Sequence, residues 1–219
     1  MTWYAHLTSL QQQRAKHASL LDDAERTRAA RFRQEVDRER FISAHGLLRE
    51  VLGRCLGQAP GELVFQRGEF GKPYLEGHPL HFNLSDTKDA VLIAVADQPI
   101  GADVETVHRH TDQEQVAGHY FTSAEVASIQ EAQDGKRRFL ELWTRKEAVL
   151  KACGVGLMDD LKKLEVGRDE NRMRIAHPDF VRLAAPAYHV YTLYPDADHP
   201  MSIALPRPAG TIRLFGAGA

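Results

Sequence analysis

The feature that most limits how this chain can fold is a recurrence of order. A long helix with an apolar stripe, followed by a β-hairpin, is met twice, and both the helices and the hairpins start roughly 100 residues apart. In the first pass, residues 22–57 read as helix, with Leu47, Leu48, Val51, Leu52 and Cys55 at spacings of three and four, stopped by Gly57 and Pro60. A short strand over 63–66 follows, then a glycine-containing turn from Gly68 to Pro73. A hairpin of 81–85 and 90–96 turns at Thr87-Lys88-Asp89, and a further strand covers 100–106 after the Asp97-Gln98-Pro99 turn. The second pass predicts a helix over 136–153 ended by Gly154, a strand over 164–166, and a hairpin of 188–194 and 201–205. Residues 206–219 read as a small, Pro/Gly-containing, partly ordered tail. The expected fold is α+β in two similar pseudo-duplicated halves, 1–98 and 99–219. Each half packs a long helix on a small, mainly antiparallel sheet, with an active site in the cleft between them.

Composition supports a self-sufficient globular chain, since 219 residues can bury either one large core or two smaller ones. The formal charge of −2 gives no overall basic field for collecting nucleic-acid phosphates. Cys55 and Cys153 lack zinc-ligand spacing, so both are expected reduced and packed. No apolar run approaches the roughly 18 residues of a membrane span, and the first residues lack a basic stretch followed by an apolar one. The expectation is a cytoplasmic protein, with neither membrane nor nucleic acid as partner.

Two segments concentrate the chemistry. In Ile100-Gly101-Ala102-Asp103-Val104-Glu105, Asp103 and Glu105 stand at i and i+2 of a strand and share one face. Like charges so close call for a cation. Magnesium suits them, because it takes one or two protein carboxylates and leaves positions for water and phosphate; a half-exposed strand with a wet face would show the same pair. In 143–151, Trp143, Glu147 and Lys151 fall along one helical stripe, with Lys146 beside Glu147. That stripe also suits an ordinary amphipathic helix, but with Asp103 and Glu105 it offers a third ligand and lysines for a pyrophosphate. The arginines from Arg26 to Arg40 and the Gly71-Lys72-Pro73 turn add cations, and no GxxxxGK[ST] loop is present.

Taken in order, GKPYL at 71–75, HFNLSDT at 81–87, IGADVE at 100–105, YFTSAE at 120–125 and WTRKEAVLK at 143–151 resemble the signature of the Sfp-type 4′-phosphopantetheinyl transferases. The resemblance implies two α+β halves with coenzyme A between them as co-substrate. It implies transfer of the phosphopantetheine arm to a serine of an acyl or peptidyl carrier protein, with release of adenosine 3′,5′-bisphosphate. By that resemblance Asp103, Glu105 and Glu147 hold Mg2+, and Glu147 also serves as base. Lys146 and Lys151 face the pyrophosphate, with Lys151 helping the leaving group. Lys72, Pro73, Ser85, Asp86, Thr87, Arg28 and Arg40 hold coenzyme A. Tyr120 and Phe121 meet the carrier protein, with Arg137, Arg138 and Arg145 as basic neighbours.

One position departs from the family pattern. Asp86 stands where a histidine usually contacts the 3′-phosphate, and a carboxylate there repels phosphate unless it is turned away, protonated or bridged by an arginine. Weaker dependence on the 3′-phosphate is the expectation. Two covalently joined halves also remove the need for a dimer to build the cleft, so a monomer is expected. Two other readings compete: a noncatalytic or narrowly specific coenzyme A and carrier-protein binder, favoured by Asp86, and a metal-dependent phosphodiesterase, which would use the same acids.

Overall fold

The computed structural model describes residues 1–156, 161–168, 170–172 and 178–216. In chain order the elements are β1 (Thr2–His6), a 3₁₀ segment (Leu7–Gln13), α1 (Arg14–Leu20), α2 (Asp23–Ala30) and α3 (Glu35–Leu56). Then come β2 (Phe65–Arg67), β3 (Pro73–Leu75), β4 (His81–Asp86), β5 (Ala90–Ala96) and β6 (Gly101–Val104). The remainder is α4 (Gln113–Tyr120), α5 (Ser123–Glu131), α6 (Gly135–Cys153), β7 (Glu170–Arg172), α7 (Pro178–Leu183), β8 (Ala187–Leu193), β9 (Met201–Leu205) and β10 (Leu214–Gly216).

Two four-stranded sheets carry the architecture, one ordered β10-β1-β5-β4 and the other β6-β9-β8-β7, with a separate β2-β3 ribbon. The long helix α3 packs Leu47, Leu48, Val51 and Leu52 against Phe82, Val91, Ile93 and Val95 of the first sheet. In the same way α6 packs Leu142, Val149 and Leu150 against Val190 and Ala204 of the second. A third cluster joins the sheets to each other through Leu92 and Ala94 on one side and Ala102, Val104, Met201 and Ile203 on the other. Burial on both faces explains why β5 reads as an unbroken apolar run rather than an alternating one.

The halves meet along β4 and β6, and side chains take the place of backbone pairing there. Asn83 Oδ1 accepts the Ala102 N–H at 2.8 Å, and Ser85 Oγ accepts the Val104 N–H at 3.4 Å. An edge of β6 that would otherwise bury orphan donors is thereby satisfied.

Several sequence expectations need correction. The helix expected over 22–57 is two helices: a capping box of Asp22 and Glu25 starts α2, the Arg31 and Phe32 N–H groups turn back to Arg28 O and Ala29 O at 3.1 and 3.3 Å to end it, and α3 begins afresh at Glu35. The strand expected over 164–166 does not form. Its polar groups go to side chains instead: Leu164 O accepts from Lys146 Nζ, Val166 O from Arg145 Nε at 2.5 Å, and the Val166 N–H donates to Glu125 Oε1 at 2.9 Å. The edge strand is β7, a few residues later. In the supposed tail, residues 214–216 pair in parallel with β1, and 217–219 lie outside the described residues.

Gly101 sets the distance between α6 and β6. A Cβ there would lie 1.9 Å from Ala148 O and 2.3 Å from Ala152 N, so only glycine admits the helix backbone. Gly101→Ala is expected to cost about 3 kcal/mol or more, read as a lower denaturation midpoint in urea, since backbone rather than a movable side chain is in the way.

Candidate active site

The close approach of α6 lays Glu147 and Lys151 over β6, which carries Asp103 and ends one residue before Glu105, short of the strand expected over 100–106. Lys151 Nζ donates to Asp103 Oδ1 at 2.6 Å and to Ser85 Oγ at 3.0 Å, and Ser85 Oγ itself donates to Asp103 Oδ1 at 2.7 Å. Asp103 is 5% exposed, and its other oxygen, Oδ2, is buried with no hydrogen-bond partner. A buried carboxylate oxygen left open costs on the order of 1–3 kcal/mol unless something fills it, and a cation is the species it suits.

Charge around Asp103 follows from crowding. Burial, and then the Asp103 charge, push Glu105 up to about 7, with Arg109 and Lys151 pulling against them. Glu147 is pushed up to about 7 for the same two reasons, opposed by Lys151 and Arg109. Burial works against the Lys151 ammonium, but contact with Asp103, with Glu147 and Asp86 beyond, raises its pKa above the ordinary lysine value. Arg109, which pairs with Glu105 four residues back, was not singled out by the sequence pattern. Its only sequence signal is the i, i+4 spacing from Glu105.

Two glutamates each raised by the Asp103 charge, an open carboxylate oxygen and balancing cations fit a hard divalent ion. The acids are not drawn tightly together, however. Among the described residues, the group whose potential ligand atoms all lie within 4.8 Å of one another is His6, Asp196 and His199, away from these carboxylates.

Other expected residues fall into place unevenly. Arg28, Pro73 and Asp86 line one cleft of about 280 Å³ together with Asn83, His45 and Phe65. All of its walls come from the first half, whereas Asp103, Glu105 and Glu147 come from the second. A larger open hollow of about 660 Å³, around Val95, Gln98 and Arg207, holds none of the expected site residues. Arg40 Nε pairs with Asp86 at 2.9 Å while its Nη2 pairs with Asp37 at 2.9 Å, so the aspartate is bridged by an arginine. Thr87 closes the hairpin turn through its N–H to Ala90 O.

Lys72, Lys146, Phe121 and Arg145 depart from expectation. Lys72 Nζ donates to Ile100 O at 3.0 Å and Ala152 O at 3.1 Å, capping the end of α6, and burial lowers its pKa to about 8. Lys146 is 0% exposed and points away from Asp103: it pairs with Glu125 at 2.9 Å and donates to Leu161 O and Leu164 O. Phe121, 2% exposed, packs edge-on to Phe139 in the core, so it offers no surface to a partner, while Tyr120 is half-buried against Trp143. Arg145 is likewise buried, bonding Val166 O and Thr192 Oγ1.

Comparison with known proteins agrees with this arrangement half by half. A family model described as the 4′-phosphopantetheinyl transferase superfamily matches residues 99–204, and one described as the N-terminal part of a 4′-phosphopantetheinyl transferase matches 5–98. The chain is 33% identical over 202 residues to the 4′-phosphopantetheinyl transferase HetI of Nostoc sp., covering 89% of this chain and 82% of that protein. It is 30% identical over 158 residues to a 4′-phosphopantetheinyl transferase of Bacillus subtilis, 70% of each chain. It is 27% identical over 173 residues to Sfp of Bacillus subtilis strain 168, covering 77% and 76%. The class is therefore that of the group transferases. The chain belongs to the 4′-phosphopantetheinyl transferase superfamily, the Sfp type. No described helix is long and apolar enough to cross a membrane.

Two outcomes follow. Glu105 and Glu147 titrate near 7 in the folded, metal-free protein against the ordinary 4.5, so the folded state holds more protons between those values. Their contribution to stability is complete below about 4.5 and is lost as pH rises through about 7. In chelator, calorimetry is expected to show a melting temperature falling between about pH 5 and pH 8. Magnesium should restore it at the upper end, and Glu147→Gln should flatten the slope. Lys146→Met is expected to cost about 3 kcal/mol by leaving Glu125 buried without its cation. Isothermal titration should find coenzyme A affinity unchanged in the folded variant, and a tenfold loss would return Lys146 to the pyrophosphate.

Proposed function

We propose that this chain transfers the 4′-phosphopantetheine group of coenzyme A to the serine of an acyl or peptidyl carrier protein in a magnesium-dependent reaction, releasing adenosine 3′,5′-bisphosphate. It acts as a cytoplasmic monomer, with residues 1–98 forming the nucleotide half and 99–219 the half with the metal ligands and the carrier-protein contact. The observation that carries the reading is Asp103, buried at the seam of the halves with one oxygen held by Lys151 and Ser85 and the other open.

Asp103, Glu105 and Glu147 are the residues that would hold the ion, which when bound offsets charge on pyrophosphate oxygens. The serine oxygen attacks the phosphorus nearer the pantetheine, and the bond from that phosphorus to the oxygen bridging it to the adenosine-side phosphate breaks. The serine proton passes to Glu147, directly or through water. Burial and Asp103 bring the Glu147 pKa to about 7 in the metal-free protein, and a bound cation would lower it, favouring the carboxylate that takes the proton. Lys151, kept protonated by Asp103, faces the departing bisphosphate and stabilises its charge. Arg28, Pro73 and Asp86 border the nucleotide cleft. Since Asp86 already occupies Arg40, dependence on the 3′-phosphate is weak. Tyr120 meets the carrier protein, and Arg137 and Arg138 suit its acidic helices.

Intact-mass spectrometry of an apo carrier protein incubated with the chain, coenzyme A and magnesium is expected to show a gain of roughly 340 Da. Asp103→Ala and Glu147→Gln are each expected to slow it by about 100-fold or more. A binder without turnover would leave carrier mass unchanged while Glu147→Gln kept carrier affinity. A phosphodiesterase would cleave coenzyme A without labelling the carrier.

A further inference from the structure

We propose that His6, Asp196 and His199 form a second cation site, taking a borderline divalent ion of the zinc class, which staples the two halves together behind the acidic strand. His6 ends β1 of the first half, whereas Asp196 and His199 belong to the loop between β8 and β9 of the second. His6 Nε2 lies 3.0 Å from Asp196 Oδ2, His199 Nδ1 lies 2.8 Å from Asp196 Oδ1, and one atom from each residue lies within 4.8 Å of the other two. A tetrahedral ion with bonds of about 2.0–2.1 Å needs its ligand atoms about 3.3 Å apart, so small movements suffice.

The surroundings resemble those of a built site more than those of a chance surface cluster. His199 is 2% exposed, and its Nε2 stands 3.1 Å from Asp89 Oδ1. The other Asp89 oxygen accepts the Thr106 hydroxyl at 3.2 Å. A carboxylate behind an imidazole holds the proton on the far nitrogen and turns the other lone pair toward a metal. Asp196 Oδ1 is fixed by the N–H groups of Asp198 and His199 at 2.8 and 3.0 Å. Its Oδ2 faces His6, with the Tyr4 hydroxyl at 2.6 Å. Two imidazoles and one carboxylate suit zinc-class ions better than magnesium, which prefers oxygen. A fourth position opens on the side of His6, whose side chain is 47% exposed.

The site would act on the reaction without touching substrate. The Glu105 N–H donates to Pro200 O at 3.1 Å and the Val107 N–H to Asp198 O at 2.9 Å, so the loop holding Asp196 and His199 also grips Glu105 just past the end of β6. An ion there fixes that strand end against β1.

Calorimetric titration of zinc into metal-stripped protein, with magnesium in millimolar excess to fill the acidic site, tests this directly. The expected result is one zinc per chain at micromolar affinity or tighter, with a raised melting temperature. His6→Ala should weaken zinc at least about tenfold while keeping the zinc-free melting temperature, and Asp89→Asn should weaken it about tenfold through the orientation of His199. Absence of binding below about 100 µM overturns the proposal, leaving the cluster as a hydrogen-bonded link between the two halves. Zinc binding that survives in His6→Ala and disappears in Asp103→Ala overturns it as well, by assigning the ion to the acidic site.

Discussion

The closeness of two backbones decides most of what this molecule can do. With no side chain at Gly101, α6 lies directly on β6, and its own Ala148 and Ala152 add nothing bulky at the contact. Only at that separation do Glu147 and Lys151 come down on the face of the sheet that presents Asp103. The seam with the other half then completes the arrangement: Asn83 and Ser85 satisfy the buried, unpaired edge of β6, and Ser85 does so while bonded to Asp103. A structural joint and a chemical site therefore share one hydroxyl.

The duplication goes deeper than element order. In the first half a capping box joins Asp22 and Glu25, and Glu25 takes Arg49 Nε from the long helix at 2.6 Å. Arg49 also donates to Pro60 O and Leu63 O in the loop beyond. In the second half a capping box joins Thr122 and Glu125, Glu125 takes Lys146, and Lys146 donates to Leu161 O and Leu164 O. Each half buries one helix-borne cation between a capping glutamate and two loop carbonyls. Burying a cation is tolerable only because every nitrogen it carries finds an oxygen, which ties the loop, the short helix and the long helix into one unit.

That symmetry explains where the sequence was legible and where it was not. The two long helices, both hairpins, the i, i+2 spacing of Asp103 and Glu105 and the i, i+4 stripe of Glu147 and Lys151 are legible because periodicity and local spacing encode them, whereas the contact of Lys151 with Asp103 spans 48 residues and is not. Lys146, which the resemblance puts at the pyrophosphate, pairs with Glu125 instead, a contact that no spacing within 143–151 encodes. Successive helix positions diverge by about 100°, and Lys146 faces the core that Glu125 enters from another helix. For Phe121 the sequence leaves core and surface readings equally open, since exposure of one aromatic depends on what packs over it, and here Phe139 and Trp143 do. Residues 164–166 have strand composition, but side chains 18 to 41 residues away in sequence claim their backbone groups. Neither β1 nor β10 was foreseen, because a five-residue strand and a three-residue strand show little pattern alone. Arg109 escaped notice because an i, i+4 pair is commonplace until the acid involved proves to be buried.

The parallel pairing of β10 with β1 carries a consequence for how the molecule is made. The first sheet gains its outer strand only from residues 214–216, after the whole second half has been threaded out. A ribosome adding about 5–20 residues per second reaches that strand roughly 6–24 s after finishing β5. Throughout that interval the outer edge of β1 stands open and Trp3 lacks the Phe215 ring that later stacks on it at 5.3 Å. The order of synthesis thus leaves the earliest-made sheet as the last to be closed, and a chain stopped short of residue 214 would carry an unsealed edge available to any other strand.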